Sequence, residues 1–482
     1  MDNFELLIVN THQVFIGFLL LSFVTFFVVV DGPVIKENWS TNSKKFLLIL
    51  FPTLAGGLFL NFLGAWGEEG FFFAIEFSIL IILSIINPKY AISFFVFLLL
   101  SRPWETYDNQ LMASMSRDVS YLAMLSIVVN KLYNKNFYIR FNMGTFLIIA
   151  FGVWLFLSAF FSNHQSLGIS KFMEVFTKAV IVFILIQNSL ENEKDAVLVK
   201  LALIFSILEK GFISFYQSYM TPKTGLEEVG ERLQSIGFLS NSNDIAAIFV
   251  LVIPLVVYFI LKSKIRPFNW IFGLITFVSL SYLVWESQSR GAVLAIAAII
   301  GSWFFLKINK VKYLILVLIF AIVGGLGVIS LMNRSAGDLE GSTSNRIIFW
   351  KAGANMAIRN PIFGVGYWGF NDNFSSYAID GDLGTEGKNM TAHSSWVLAL
   401  SEGGFMSLAL FISLWGYSLY RGWLMRKLHP EYFLAIVGYG VAITFLSHTY
   451  LLFPYIILSL VVTHSKLKGT KLDPTLDYGK SS

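Results

Sequence analysis

Apolar residues come in long, nearly uninterrupted blocks along this chain, and that blocking restricts the fold more than any motif. Clear runs occupy residues 14–30, 46–63, 71–86, 145–161, 172–186, 197–215, 245–261, 271–285, 292–306, 313–331, 396–415, 433–445 and 450–463. A run of roughly 18 or more apolar residues reads as a membrane-spanning helix. Composition agrees: 56% of the 482 residues are hydrophobic and 13% are charged, against roughly 25% charged in a soluble domain. An ordinary water-soluble protein is excluded. Two shorter runs, 90–100 and 119–129, reach about 17 Å of a ~30 Å core. They extend into polar flanks, break the membrane part-way or re-enter. The expected fold is an all-α, polytopic transmembrane helical bundle of about 12 to 15 spans.

The chain has no cysteine, which removes disulfides, thiolate metal sites and a cysteine nucleophile together. Asp2 and Glu5 lie ahead of the first apolar run with no basic residue beside them, so a cleavable signal peptide is not expected. The net charge of +5 is modest; where the charges fall matters more. Basic clusters at Lys131/Lys135/Arg140, Lys194/Lys200, Lys262/Lys264/Arg266, Lys307/Lys310/Lys312, Arg421/Arg426/Lys427 and Lys466/Lys468/Lys471 occupy every second loop. Cytoplasmic loops are enriched in Lys and Arg. The loops 162–170, 217–242, 286–291, 333–395 and 447–448 are therefore expected outside, and the C-terminus inside. The resulting segments are N-terminal transmembrane helices (1–216), central helices with motif loops (217–332), a large outward loop carrying short helices (333–395), C-terminal transmembrane helices (396–465) and a cytoplasmic tail (466–482).

The large loop predicts a helix from Asn345 to about Arg359, with Ser344 or Asn345 as its cap and Ile347, Trp350, Ala354 and Ala357 on one apolar face. After it, Gly364, Gly366 and Gly369 alternate with Tyr367, Trp368 and Phe370. Such a stretch suits gripping a lipid headgroup or a sugar, and equally suits a loop packed on the bundle. No internal repeat of the kind common in secondary transporters is visible, which tilts the expectation toward an enzyme.

Six histidines are candidates for proton transfer: His12, His164, His393, His429, His448 and His464. His429 and His464 are expected at cytoplasmic ends, and His448 in a tight outward turn at the membrane interface. His393 differs, because it closes the large loop just before the next span, where free helix N–H groups favour a neutral imidazole. A neutral imidazole near pH 7 is a natural general base for a hydroxyl. Arginines expected outside are Arg232, Arg290, Arg334, Arg346 and Arg359. Each runs against the positive-inside bias, and guanidinium binds phosphate oxygens bidentately; ordinary phospholipid contact is the competing explanation. Charges within spans are Glu76, Glu174, Lys178, Glu209 and Asp244. Glu174 and Lys178 have the spacing of a same-helix ion pair. Glu402 falls on the opposite helix face from His393, so close packing with Gly403 and Gly404 is its expected role. No HExxH, CxxC or Walker-type motif occurs; Asp380-Gly-Asp382 is the nearest approach to paired carboxylates and reads as turn chemistry. No metal ligand set and no cofactor are expected.

Several short stretches together resemble the O-antigen ligase and O-antigen polymerase superfamily of bacterial envelopes: Gly237-Phe-Leu-Ser-Asn-Ser-Asn243-Asp, Ser287-Gln-Ser-Arg290-Gly-Ala, Asn345-Arg346-Ile-Ile-Phe-Trp350-Lys, Asn360-Pro-Ile-Phe-Gly-Val-Gly366, and His393-Ser-Ser-Trp-Val-Leu-Ala-Leu-Ser-Glu402-Gly-Gly404. The resemblance implies a metal-independent, inverting glycosyltransferase acting at the periplasmic side of the inner membrane. Its donor is a glycan on undecaprenyl diphosphate, and its acceptor a hydroxyl of a glycolipid, glycan or protein. By the family pattern His393 is the general base, Arg290 and Arg346 engage the diphosphate, and Arg232 matches more weakly. A ligase for lipopolysaccharide or protein, a polysaccharide polymerase and a lipid-linked glycan transporter all remain compatible with these motifs.

Overall fold

The computed structural model describes residues 88–102, 110–133, 135, 137–219, 233, 237–262, 266–307, 336–378 and 390–467. Every regular element among them is helical. The runs at 14–30, 46–63, 71–86 and 313–331 lie outside the described residues, as do His12, Glu76, Arg232, Arg334, Asp380 and Asp382. Two compact units divide the chain, one of residues 1–138 and 189–210, the other of residues 139–188 and 211–482.

In the first unit, α1 (Pro88–Ser101) packs against α2 (Gln110–Tyr133). The short run 119–129 lies inside α2, which at 24 residues is about 36 Å long. That run therefore extends into its polar flanks. The run 90–100 sits in a helix of 14 residues, about 21 Å long, and stays short. The helix α6 (Glu193–Tyr219) begins with a reciprocal cap: Asp195 N–H donates to Asn192 Oδ1 at 3.3 Å, Glu191 and Asn192 N–H groups donate to Asp195 Oδ2 at 2.8 and 3.1 Å, and Lys89 Nζ lies 3.4 Å from the other oxygen of that carboxylate.

In the second unit the chain enters α3 (Met143–Phe160) through a reciprocal cap. Thr145 N–H donates to Asn142 Oδ1 at 3.1 Å, and Asn142 N–H donates to Thr145 Oγ1 at 3.4 Å. Both orphan donors are satisfied before the apolar run begins. The short α4 (Gln165–Lys171) continues through a π-turn at Phe172–Phe176 into α5 (Thr177–Ser189). Glu174 pairs with Lys171 at 2.8 Å, three residues back on the π-turn, and the charge of Lys178 also acts on it.

The rest of this unit is built from α7 (Ser242–Lys262), α8 (Arg266–Glu286), α9 (Arg290–Lys307), α10 (Ala336–Arg359), α11 (Phe370–Tyr377), α12 (Ser395–Leu424), α13 (Pro430–Ala442) and α14 (Leu452–His464). Helix α7 packs on α8, α9 and α13, while α12 packs on α3, α10, α13 and α14. Among the described residues four helices are long and apolar enough to cross a membrane: Met143–Phe160, Ser242–Leu261, Arg290–Lys307 and Ser395–Leu424. The loop helix starts at Ala336, nine residues before the expected Asn345, and ends at Arg359 as predicted.

One break shapes the core. Gly404 interrupts α12 with φ 70° and ψ −170°, a region open essentially to glycine. Segment 361–365 docks at the break, with Val365 N–H donating to Ser401 O at 2.9 Å and Phe405 N–H donating to Pro361 O at 3.0 Å. A Cβ on Gly404 would stand 2.3 Å from Ile362 O, and one on Gly364 would stand 2.2 Å from Ser401 O. The carbonyls freed by the break find partners on α3: Trp154 Nε1 donates to Gly403 O at 2.8 Å, and Ser158 Oγ reaches Glu402 O at 2.5 Å.

Candidate active site

The start of α12 is strapped to the turn that joins α13 to α14. Thr391 Oγ1 donates to Ser447 Oγ at 2.7 Å, His448 N–H to Ser395 Oγ at 2.8 Å, Ser395 Oγ to Leu446 O at 2.7 Å, and Thr449 Oγ1 to Ser395 O at 2.8 Å. Trp396 Nε1 adds a bond to Thr444 Oγ1 at 3.1 Å. Ser394 caps the helix, accepting from Val397 N–H at 3.4 Å. His393 sits inside this strap with φ 46°, a left-handed backbone uncommon outside glycine and costly unless its surroundings impose it.

The His393 ring lies 5.4 Å from the ring of Phe349 on α10. Arg346, one turn earlier on that helix, places its guanidinium 6.0 Å from the Phe445 ring, in the same turn that anchors α12. Burial pushes the His393 imidazole below its ordinary value of 6.5; the Arg346 charge pushes the same way, and Asp244 opposes both. The imidazole is therefore neutral at pH 7, with a cation and an anion acting on it. Arg290 opens α9, and a Cβ on the adjoining Gly291 would lie 3.7 Å from Phe445. The start of α9, which carries Arg290, and the middle of α10, which carries Arg346, thus border one aromatic side chain. Arg359 is elsewhere: its guanidinium stacks 5.4 Å from the Tyr377 ring, about 20 Å along α10 from Arg346.

Two features of this region escape sequence reading. His448, expected at the membrane interface, is 1% exposed. Its Nε2 lies 3.0 Å from Asp244 Oδ1 and its Nδ1 2.7 Å from the Tyr439 hydroxyl. Asp244, on the first turn of α7, is separated from His448 by 204 positions, so no spacing rule links them; the available signal was the cost of an acid at the end of an apolar run. Glu402 is the second feature. Its Oε1 accepts from Phe370 N–H at 2.9 Å, and its Oε2 accepts from Trp368 N–H at 3.1 Å and the Tyr450 hydroxyl at 2.7 Å. Rather than merely packing beside glycine, Glu402 fastens the aromatic, glycine-rich loop, including Trp368 at φ 67°, to the core.

Residues 274–412, which hold Arg290, Arg346, His393 and Glu402, match a family model described as O-Antigen ligase. No curated protein matches the chain. The chain is a helical membrane protein, and this segment is similar to the O-antigen ligase family that its motifs resemble.

Proposed function

We propose that this protein transfers a glycan from undecaprenyl diphosphate to an acceptor hydroxyl at the periplasmic face of the inner membrane, by an inverting, metal-independent displacement. The observation that carries this reading is a neutral, half-buried His393 held within the electrostatic reach of Arg346, inside the family-matched segment. His393 takes the proton of the acceptor hydroxyl, and the oxygen attacks the anomeric carbon from the side opposite the diphosphate. As the glycosidic C–O bond breaks, charge grows on the departing diphosphate. Arg346 and Arg290 stabilise that charge in the transition state more than in the bound donor, which is the condition for accelerating the reaction. Arg232 is proposed as a further contact to the same diphosphate. The imidazolium then returns its proton to solvent. The loop fastened by Glu402 presents Trp368 as a surface for sugar or lipid, while Tyr367 and Phe370 are buried and hold the loop to the core.

A ligase and a polymerase share this chemistry, so the acceptor decides between them. The test is deletion of the gene followed by analysis of envelope glycans, with complementation by the wild type and by His393→Ala. Loss of glycan from its acceptor, with long lipid-linked chains retained, identifies a ligase; accumulation of single repeat units identifies a polymerase. Full complementation by His393→Ala would remove the base assignment and favour a lipid-linked glycan transporter.

A further inference from the structure

A base that must become positive beside an arginine works against like-charge repulsion, and the fold supplies an anion nearby. Asp244 is held by a buried histidine whose ring nitrogens are both engaged. An ionised carboxylate only accepts, so His448 Nε2 carries the proton and donates it to Asp244 Oδ1 at 3.0 Å. Its Nδ1 is in hydrogen-bond contact with the Tyr439 hydroxyl at 2.7 Å. The main chain of His448 is tied to Ser395, two residues beyond His393, and its neighbour Ser447 is tied to Thr391, two residues before it. The carboxylate of α7 is thereby set in fixed relation to the imidazole at the start of α12. Asp244, His448 and Tyr439 all lie outside the family-matched segment 274–412.

We propose that Asp244, clamped by His448 and Tyr439, is a positioning residue for His393: its carboxylate stabilises the imidazolium that forms when the acceptor hydroxyl surrenders its proton. This rests on the transferase reading, but its test needs no donor or acceptor. Diethyl pyrocarbonate acylates neutral imidazole, so its rate at the His393 peptide, followed by mass spectrometry across pH in the detergent-solubilised full chain, reports the titration of His393. The charged groups acting on that ring are Arg346 from α10 and Asp244 from α7. Asp244→Asn is expected to move the His393 midpoint down by about half a pH unit, making modification about threefold faster on the acid side. Arg346→Gln is expected to move it up, and Asp244→Glu to restore the wild-type midpoint. His448→Gln, which releases the clamp, is expected to shift it downward by less, and it decides the matter should Asp244→Asn fail to fold. An unchanged His393 midpoint in these monodisperse Asp244 or His448 variants would overturn the proposal. The transferase reading would then still be judged separately, by loss of transfer in His393→Ala.

Discussion

His393 carries three constraints at once: a left-handed backbone, partial burial and the field of a nearby guanidinium. Its replacement by alanine is expected to abolish glycan transfer while leaving the thermal unfolding midpoint of the solubilised protein nearly unchanged, since the strap is held by Thr391, Ser395 and Trp396 rather than by its imidazole. Arg290→Ala is expected to cost more activity than Arg290→Lys, because lysine keeps the charge and loses only the bidentate fork; glycan profiling of complemented cells measures the difference. The pH dependence follows from direction. With the imidazole held below 6.5, transfer is expected to rise with pH through the lowered value and to stay level above 6.5. Stability follows the same sign: the neutral ring's contribution is present above 6.5 and is lost as pH falls through the folded value. Glu402→Gln tests a different role. An amide offers one acceptor oxygen and two N–H donors where three donors converge, so it is expected to destabilise the fold by about 1–3 kcal/mol, read as a lower melting midpoint. The motifs made His393, Arg290 and Arg346 visible in the chain, whereas Asp244 and His448 were not recognisable as a pair, because side chains 204 positions apart meet only through packing.

The existence of the helices was more readable than their starts: the loop helix begins at Ala336, nine residues before the expected Asn345, although local chemistry marks several other starts. Asn142 and Thr145 announce α3, Ser394 announces α12, and Pro430 suits the first turn of α13. The interruption of α12 was not readable, since Gly403-Gly404 in an apolar run fits close packing and a break equally well. Gly404→Ala distinguishes the break. With φ 70° and a Cβ 2.3 Å from Ile362 O, it is expected to destabilise by more than about 2 kcal/mol. Gly416→Ala on the same helix, with nothing within 4 Å, is expected to be neutral or to stabilise by about 0.5–1 kcal/mol. Thermal melts of the two variants in one detergent make the comparison. The π-turn at Phe172–Phe176 is a second local departure that the spacing of Glu174 and Lys178 did not reveal.

At the scale of the whole molecule, the absence of cysteine makes sidedness directly measurable. A single cysteine at Ser376, exposed on α11, is expected to react with a membrane-impermeant maleimide from the periplasmic side. One at Lys427, exposed beyond α12, is expected to react only after the cytoplasmic side is opened. The reverse pattern would move the proposed site to the wrong face for a periplasmic transfer. What the sequence determined unaided is what solvent dictates run by run: blocks of apolar side chains must become helices in a membrane, and at some of them a cap or a proline marks the start. What the tertiary structure decided is which helix ends meet. The strap between residues 391–396 and 444–449, the clamp of Asp244 by His448, and the seating of Glu402 under the glycine-rich loop all join distant residues. Buried polar groups must find partners wherever packing brings them together, and that condition acts in space, where spacing along the chain has no hold.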